Sequence, residues 1–167
     1  MIRYRPPQKS GSKYITAEGA LLLKKELNQL WKIERPKVTQ QVSEAAALGD
    51  RSENAEYIYG KKHLREIDRR VRYLTKRIEE LIVVSQTPPD ETKAYFGCLI
   101  SLESEEGVRS KYRLVGPDEI NPEKGYISID SPLGKAILGI EVGARINIKS
   151  PQGQLRYQLI KVEYLSH

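Results

Sequence analysis

Apolar residues recur with helical periodicity over the first half of the chain, and this pattern changes near Gln86. The second of two helical stretches is the more regular, because from Leu64 onward its apolar positions alternate between steps of three and four residues, as in a coiled coil. These positions are Tyr57, Leu64, Ile67, Val71, Leu74, Ile78 and Leu81. The pattern predicts a long helix whose apolar seam packs against one neighbouring helix.

The first helical stretch is predicted to begin at Thr16, whose hydroxyl can cap free backbone N–H groups, and to end at Gly49. Its apolar residues fall into two sets that are offset by one position. The first set is Leu23, Leu27 and Leu30, and the second is Trp31, Val38, Val42 and Ala45. Because Pro36 lies near this change of phase, we expect a kink or stutter there.

A very short connection, residues 49–52, separates the two predicted helices, so they should be antiparallel neighbours. Each helix has about 30 residues, which gives a rod of ~45 Å at 1.5 Å per residue. Such a hairpin is too long to be the core of a domain by itself. Its far end is therefore expected to reach another molecule.

The second half of the chain carries short β-rich segments that Gly and Pro separate. Strands are predicted at residues 95–103, 108–115, 126–130, 144–149 and 155–164, with a short helix at 132–138. The sequence thus indicates an α+β protein with four parts. These are a disordered basic arm (1–12), an antiparallel coiled-coil hairpin (13–86), a linker (87–91) and a small antiparallel β domain with one short helix (92–167).

The bulk composition limits the classes of partner. The net charge of +6 favours nucleic acid or an acidic protein surface, although an ordinary solvated surface explains it equally well. Cys98 is the only cysteine, which excludes an intrachain disulfide, and we expect it to be a small core residue. No stretch approaches the ~20 apolar residues of a membrane span, and no signal peptide is recognisable. The single cysteine fits a reducing cytosol, and we expect a cytoplasmic protein that is a monomer.

Two acidic residues, Asp50 and Glu53, lie at the predicted tip of the hairpin. One interpretation is a capping box, in which Asp50 caps the N–H of Glu53 and Glu53 returns the bond. The other is an acid/base or metal site, because two outward-facing carboxylates offer the hard oxygen ligands that Mg²⁺ prefers. Two carboxylates are too few for a complete site, so a second molecule would have to supply the other ligands.

A row of basic residues runs along the second helix, on the face opposite its apolar seam. We call it the basic stripe, and its members are Lys62, Arg65, Arg69, Arg72 and Lys76. The outside of a coiled coil usually mixes both signs of charge, whereas no acid interrupts this stripe before Glu79. The stripe therefore favours contact with the phosphates of a nucleic acid over an ordinary charged surface.

Several motifs together resemble the GreA/GreB family of bacterial transcript-cleavage factors. The run GDRSENAEY at residues 49–57 is similar to the hairpin tip of that family, and YISIDSPLGKA at 126–136 is similar to its C-terminal domain. The segments LW (30–31), ERP (34–36) and RRVRYL (69–74) resemble GreB more than GreA. The resemblance spans about residues 13–165.

This resemblance implies an FKBP-like C-terminal domain that docks on RNA polymerase through Asp130, Ser131, Pro132 and Leu133. It also implies that the hairpin enters the polymerase secondary channel and promotes cleavage of backtracked nascent RNA. Asp50 and Glu53 would hold a second Mg²⁺ jointly with the polymerase, so the chain alone would not be an enzyme; DNA is a further possible contact. Two alternatives remain open: a channel-binding inhibitor of polymerase, and a basic coiled-coil module that binds nucleic acid without chemistry.

Overall fold

A computed structural model describes residues 11–165. Their contacts form two compact units, a helical unit of Glu18–Leu81 and a second unit that joins the residues up to Ala17 to those from Ile82 onwards. The division lies inside the predicted hairpin domain of 13–86, because the segments on either side of the helices pair with each other. The arm predicted at residues 1–12 lies outside the described residues, apart from its last two. Among residues 11–165, no helix is long and apolar enough to cross a membrane.

The helical unit is the predicted antiparallel hairpin. Its first arm consists of α1 (Ala17–Gln29), a π-helical segment (Leu30–Glu34) and α2 (Arg35–Ala47), and its second arm is α3 (Ala55–Glu80). The π-helical segment confirms the expected irregularity, since the backbone N–H of Arg35 donates to the carbonyl of Leu30, five residues earlier. One extra residue in this turn produces the offset between the two apolar sets of the first arm.

Buried apolar residues form the predicted seam between the two arms. They are Leu23, Val38 and Ala45 on the first arm, and Ile67 and Leu74 on α3. The assignment of Trp31 to this seam is wrong, because 53% of its surface is exposed and Arg35 lies 5.3 Å from its ring centroid. Trp31 lies within the π-helical turn, where Leu30 takes the half-buried position and the next residue faces outward.

The second unit contains a five-stranded sheet with the order β5-β4-β3-β7-β6. Its strands are β3 (Leu99–Ser104), β4 (Arg109–Val115), β5 (Tyr126–Ser128), β6 (Arg145–Ser150) and β7 (Gly153–Glu163). The predicted strands all form, but β5 pairs with β4 in parallel, whereas the other pairs are antiparallel as expected. Helix α4 (Pro132–Ile137) adds Ile137 to the core, where Cys98 is also fully buried.

Two short strands flank the hairpin, and sequence reasoning missed both of them. Strand β1 (Tyr14–Thr16) pairs in parallel with β2 (Ile82–Val84). Ile15 is completely buried, and the backbone N–H and the hydroxyl of Thr16 both donate to the Glu119 carboxylate. Three residues are too few for an alternating pattern to be recognised. The helix predicted to begin at Thr16 does begin directly after that residue, at Ala17.

Candidate functional site at the hairpin tip

The tip of the hairpin is a loop of residues 48–54, longer than the predicted 49–52. Helix α3 begins at Ala55, and Asn54 is its N-cap: the side-chain oxygen accepts a hydrogen bond from the Tyr57 N–H at 3.1 Å. Glu53 therefore precedes the cap instead of lying in the first turn of the helix. The capping-box interpretation of Asp50 and Glu53 is wrong for this structure.

The Asp50 carboxylate is held by one neighbour within the loop. Its Oδ1 accepts hydrogen bonds from the backbone N–H of Ser52 at 2.9 Å and from the Ser52 hydroxyl at 2.8 Å. These two bonds stabilise the ionised form and lower the pKa of Asp50 below its ordinary value of 3.8. Asp50 is therefore an exposed carboxylate that stays charged well into the acid range.

The Glu53 carboxylate is exposed, and within residues 11–165 it forms neither a hydrogen bond nor an ion pair. Nothing in the described chain thus occupies its oxygens. Since Asp50 uses Oδ1 for both of its bonds, its second oxygen is also available. The tip consequently presents exposed carboxylate oxygens from two residues that no group of the described chain occupies.

The donor set of the tip matches part of a Mg²⁺ shell. Mg²⁺ takes six oxygen ligands and commonly uses one or two carboxylates together with water and substrate phosphates. The described residues contain no group of three or more His, Cys, Asp or Glu side chains that could hold a metal. Asp50 and Glu53 therefore fit an ion that is shared with a partner better than one held by this chain alone.

Sequence reasoning missed the roles of Asn54, in the tip loop, and of Gly60, in the second turn of α3. The Asp-x-x-Glu spacing predicts an earlier start of the helix and leaves Asn54 without a role. The available signal was an asparagine, one of the strongest N-capping residues, directly before Ala-Glu. Gly60 continues the three-four spacing of the α3 seam, but without a side chain it does not register as an apolar position.

All five residues of the basic stripe are exposed on α3, and none forms an ion pair with another residue of the described chain. The neighbouring acids have other partners: Asp68 binds Arg35 at 2.7 Å, and Glu26 binds Arg70 at 2.7 Å. The stripe consequently keeps its positive charge along roughly 21 Å of helix, at 1.5 Å per residue. Such a surface can bind successive phosphates.

The residues predicted to dock on a polymerase lie at the start of α4. Ser131 caps this helix by accepting a hydrogen bond from the Gly134 N–H at 3.0 Å, and Asp130 accepts one from the Ser12 N–H at 2.8 Å. Leu133 packs against the core of the sheet, whereas Pro132 is exposed. The four residues therefore lie together, but most of their contacts are within the domain.

Comparison with known proteins gives two family matches that together span most of the chain. Residues 13–83 match the N-terminal domain described as "Transcription elongation factor, N-terminal" of GreA and GreB. Residues 89–164 match the C-terminal domain described as "Transcription elongation factor, GreA/GreB, C-term". The two domains occur in the expected order, and their boundary falls near the predicted linker.

Individual relatives match over nearly their whole length. The chain is 54% identical to transcription elongation factor GreB of Pseudomonas aeruginosa, with 98% of each chain covered. It is 55% identical to GreB of Haemophilus influenzae, with 92% of this chain and 97% of the relative covered. A solved GreA/GreB structure from Nitrosomonas europaea is 20% identical, with a TM-score of 0.42 over 92% of this chain and 100% of its own. On the two domain matches and the identities of 54% and 55% to the two GreB relatives, the chain belongs to the GreA/GreB family of transcription elongation factors.

Proposed function

We propose that this chain is a transcription elongation factor that binds RNA polymerase and stimulates the polymerase's own cleavage of nascent RNA in backtracked complexes. The observation that carries this proposal is the pair of exposed carboxylates at the hairpin tip, neither of which caps a helix. The names of relatives that share about half of the chain's residues agree with it. In this proposal the chain is no nuclease alone and acts only in complex with polymerase.

The proposed chemistry depends on how each acid is presented. The bonds from Ser52 hold the Asp50 carboxylate in place and lower its pKa, and the exposed Glu53 carboxylate can turn toward a ligand. Together they would hold Mg²⁺ jointly with the polymerase and accept a hydrogen bond from the attacking water. When bound, the ion would stabilise the charge that develops during in-line attack on a phosphodiester.

The rest of the molecule has two supporting roles in this proposal. The basic stripe would bind the phosphates of the extruded RNA, because its five cations have no acidic partners in the described chain. The segment at Asp130, Ser131, Pro132 and Leu133 would dock on the polymerase, with Pro132 as its exposed contact. DNA near the channel is a further possible contact for the stripe.

The test is the double substitution Asp50→Asn/Glu53→Gln. Both changes keep the shape of the side chain and remove one negative charge, and neither disturbs the Asn54 cap. We expect the variant to fold and to bind polymerase normally, while its stimulation of cleavage falls by ~10²–10³, as for the loss of other preorganised electrostatic contacts. Cleavage rates of stalled complexes with saturating factor measure the effect, and raised Mg²⁺ should restore part of the loss.

Glu66→Gln is the matched control, because Glu66 is an exposed acid on the same hairpin but far from the tip. Like each of the two tip substitutions, it removes one negative charge, and it should leave the cleavage rate unchanged. A second control contains the factor and labelled RNA without polymerase, where no cleavage is expected. Full stimulation of cleavage by the double variant would overturn the proposed role of the acids.

A further inference from the structure

One side chain at the tip joins the ends of both hairpin helices. The Asn54 oxygen accepts from the Tyr57 N–H at the start of α3, and the Asn54 amide group donates to the Ala45 carbonyl at 2.7 Å, in the last turn of α2. The orientation of the amide follows from these partners, because one is a donor and the other is an acceptor. The Ala45 carbonyl also accepts the Leu48 N–H at 3.2 Å, so the Asn54 amide adds a second hydrogen bond to an oxygen that can accept two.

This clamp encloses the loop that carries both acids. Between Ala45 and Asn54 the chain runs out through Asp50 and returns through Glu53, so the bond closes the loop at its base. Glu53 directly precedes Asn54 in the chain. The backbone conformation of Asn54 as N-cap (φ −83°, ψ 100°) therefore sets the orientation of Glu53 relative to the start of α3. Asp50 is fixed within the same loop by Ser52.

Close packing of the helices directly behind the loop keeps the clamp within bonding distance. Gly60 faces Val42 across the hairpin, and a Cβ at position 60 would lie 2.7 Å from the Cγ2 atom of Val42. Ala45, which accepts the bond from Asn54, is itself buried in the seam. The two helix ends are thus held together at the distance that one asparagine side chain spans.

We propose that Asn54 is a positioning residue, which holds Asp50 and Glu53 in the geometry needed to share a ligand with a partner. The proposal rests on the function proposed above and adds a residue to its site. Asn54 does not itself bind the ligand. It acts through the loop. The side-chain oxygen of Asn54 is enough to cap α3, but positioning the acids also requires its amide N–H, which donates to the Ala45 carbonyl.

Two substitutions separate the clamp from the cap. Asp and Ser cap helices about as well as Asn, so Asn54→Asp and Asn54→Ser should both keep α3 intact. An ionised Asp has no donor for the Ala45 carbonyl, and Ser is too short to reach it. We expect both variants to bind polymerase with unchanged affinity and to lower the maximal cleavage rate by about tenfold or more, because small misplacements of reacting groups commonly cost up to ~10²-fold.

Two further measurements distinguish positioning from a loss of fold. The Mg²⁺ concentration for half-maximal cleavage should rise in both variants at saturating factor, whereas a merely destabilised protein would keep the wild-type value. In ¹⁵N spectra of the full chain, one side-chain amide should exchange slowly with solvent and should disappear in Asn54→Ser. Asn28→Asp and Asn28→Ser are the matched controls, since Asn28 is an exposed asparagine elsewhere on the hairpin.

The outcomes are separable from those of the tip acids. If the Asn54 variants cleave like wild type while Asp50→Asn/Glu53→Gln is inactive, the positioning role is wrong and the proposed function stands. If only Asn54→Asp is impaired, the added charge is the cause, and the clamp is again overturned. If the double acid variant is fully active, the proposed function and the positioning role both fail.

Discussion

At the scale of single residues, Ser52 controls how the Asp50 carboxylate is presented. Both bonds to Asp50 come from this residue, one from its backbone and one from its side chain. Since the two bonds favour the ionised form, they lower the pKa of Asp50. Their contribution to stability is therefore present above the pKa of the unfolded chain and is lost as the pH falls through the lower pKa of the folded protein.

Ser52→Ala should raise the pKa of Asp50 toward its ordinary value of 3.8 without reaching it, because the backbone N–H at position 52 can still donate. An NMR titration of the carboxyl carbon measures this change. Ser43→Ala, an exposed serine on α2, is the control and should leave the titration unchanged. An identical Asp50 titration in Ser52→Ala and wild type would show that the hydroxyl bond is not formed in solution.

At the scale of the helices, Gly60 determines how closely the two arms approach near the tip. Glycine within a helix costs about 1 kcal/mol relative to alanine, so its presence in α3 requires a compensating contact. Val42 provides that contact, since its Cγ2 atom occupies the space that a side chain at position 60 would need. Gly60 therefore lowers the intrinsic stability of helix α3 but allows α3 to pack closely against α2.

Gly60→Ala should destabilise the protein by about 1–3 kcal/mol, the usual cost of overpacking, despite the better helix propensity of alanine. Val42→Ala removes the methyl group that clashes, so the double variant should be more stable than the sum of the two single effects. Thermal and urea unfolding of all four proteins completes the cycle. Strict additivity would mean that the two positions do not meet in solution.

Elements with a local sequence signal could be predicted, and those that depend on pairing between distant residues could not. The α3 seam and the short helix predicted at 132–138 are confirmed, because repeated apolar spacing and a serine directly before a helix are local signals. Strands β1 and β2 were missed, since their pairing depends on residues far apart in the sequence. At the tip, the acids were identified but their surroundings were not: the bond from Asn54 to Ala45 is a tertiary contact without a local signature.

At the scale of the whole molecule, the net charge of +6 is unevenly distributed. The stripe on α3 alone carries five cations without acidic partners in the described chain, while acids elsewhere on the hairpin, such as Glu26 and Asp68, are paired. A polyanion would thus be attracted to one face of one helix. Binding through this face should depend strongly on salt, because each phosphate contact releases counterions.

Replacing Arg65, Arg69 and Arg72 with alanine should weaken rescue of complexes with long extruded RNA more than of those with short RNA. Longer RNA places more phosphates near the stripe. Losing three cations should make the negative slope of log affinity against log salt shallower by up to ~2, at about 0.7 per phosphate contact. Cleavage assays over a range of salt concentrations measure both effects.

A triple substitution of Lys111, Arg145 and Lys149 by alanine is the control for the stripe, since these exposed residues of the sheet domain carry the same total charge. It should leave the dependence on RNA length unchanged. Equal losses in the two triple variants would mean that net charge, and not the stripe, determines the effect.

The pairing of β1 with β2 also constrains the order in which the chain can fold. Tyr14 pairs with Ile82, so the whole hairpin lies between the two strands in the sequence. If the hairpin folds first, it brings the two strands close together and removes most of the entropy cost of closing the loop between them. Ile15 packs in the unit that contains β4, which is synthesised almost a hundred residues later. During translation, strand β1 therefore leaves the ribosome well before β4 and stays exposed to water until β4 has been made.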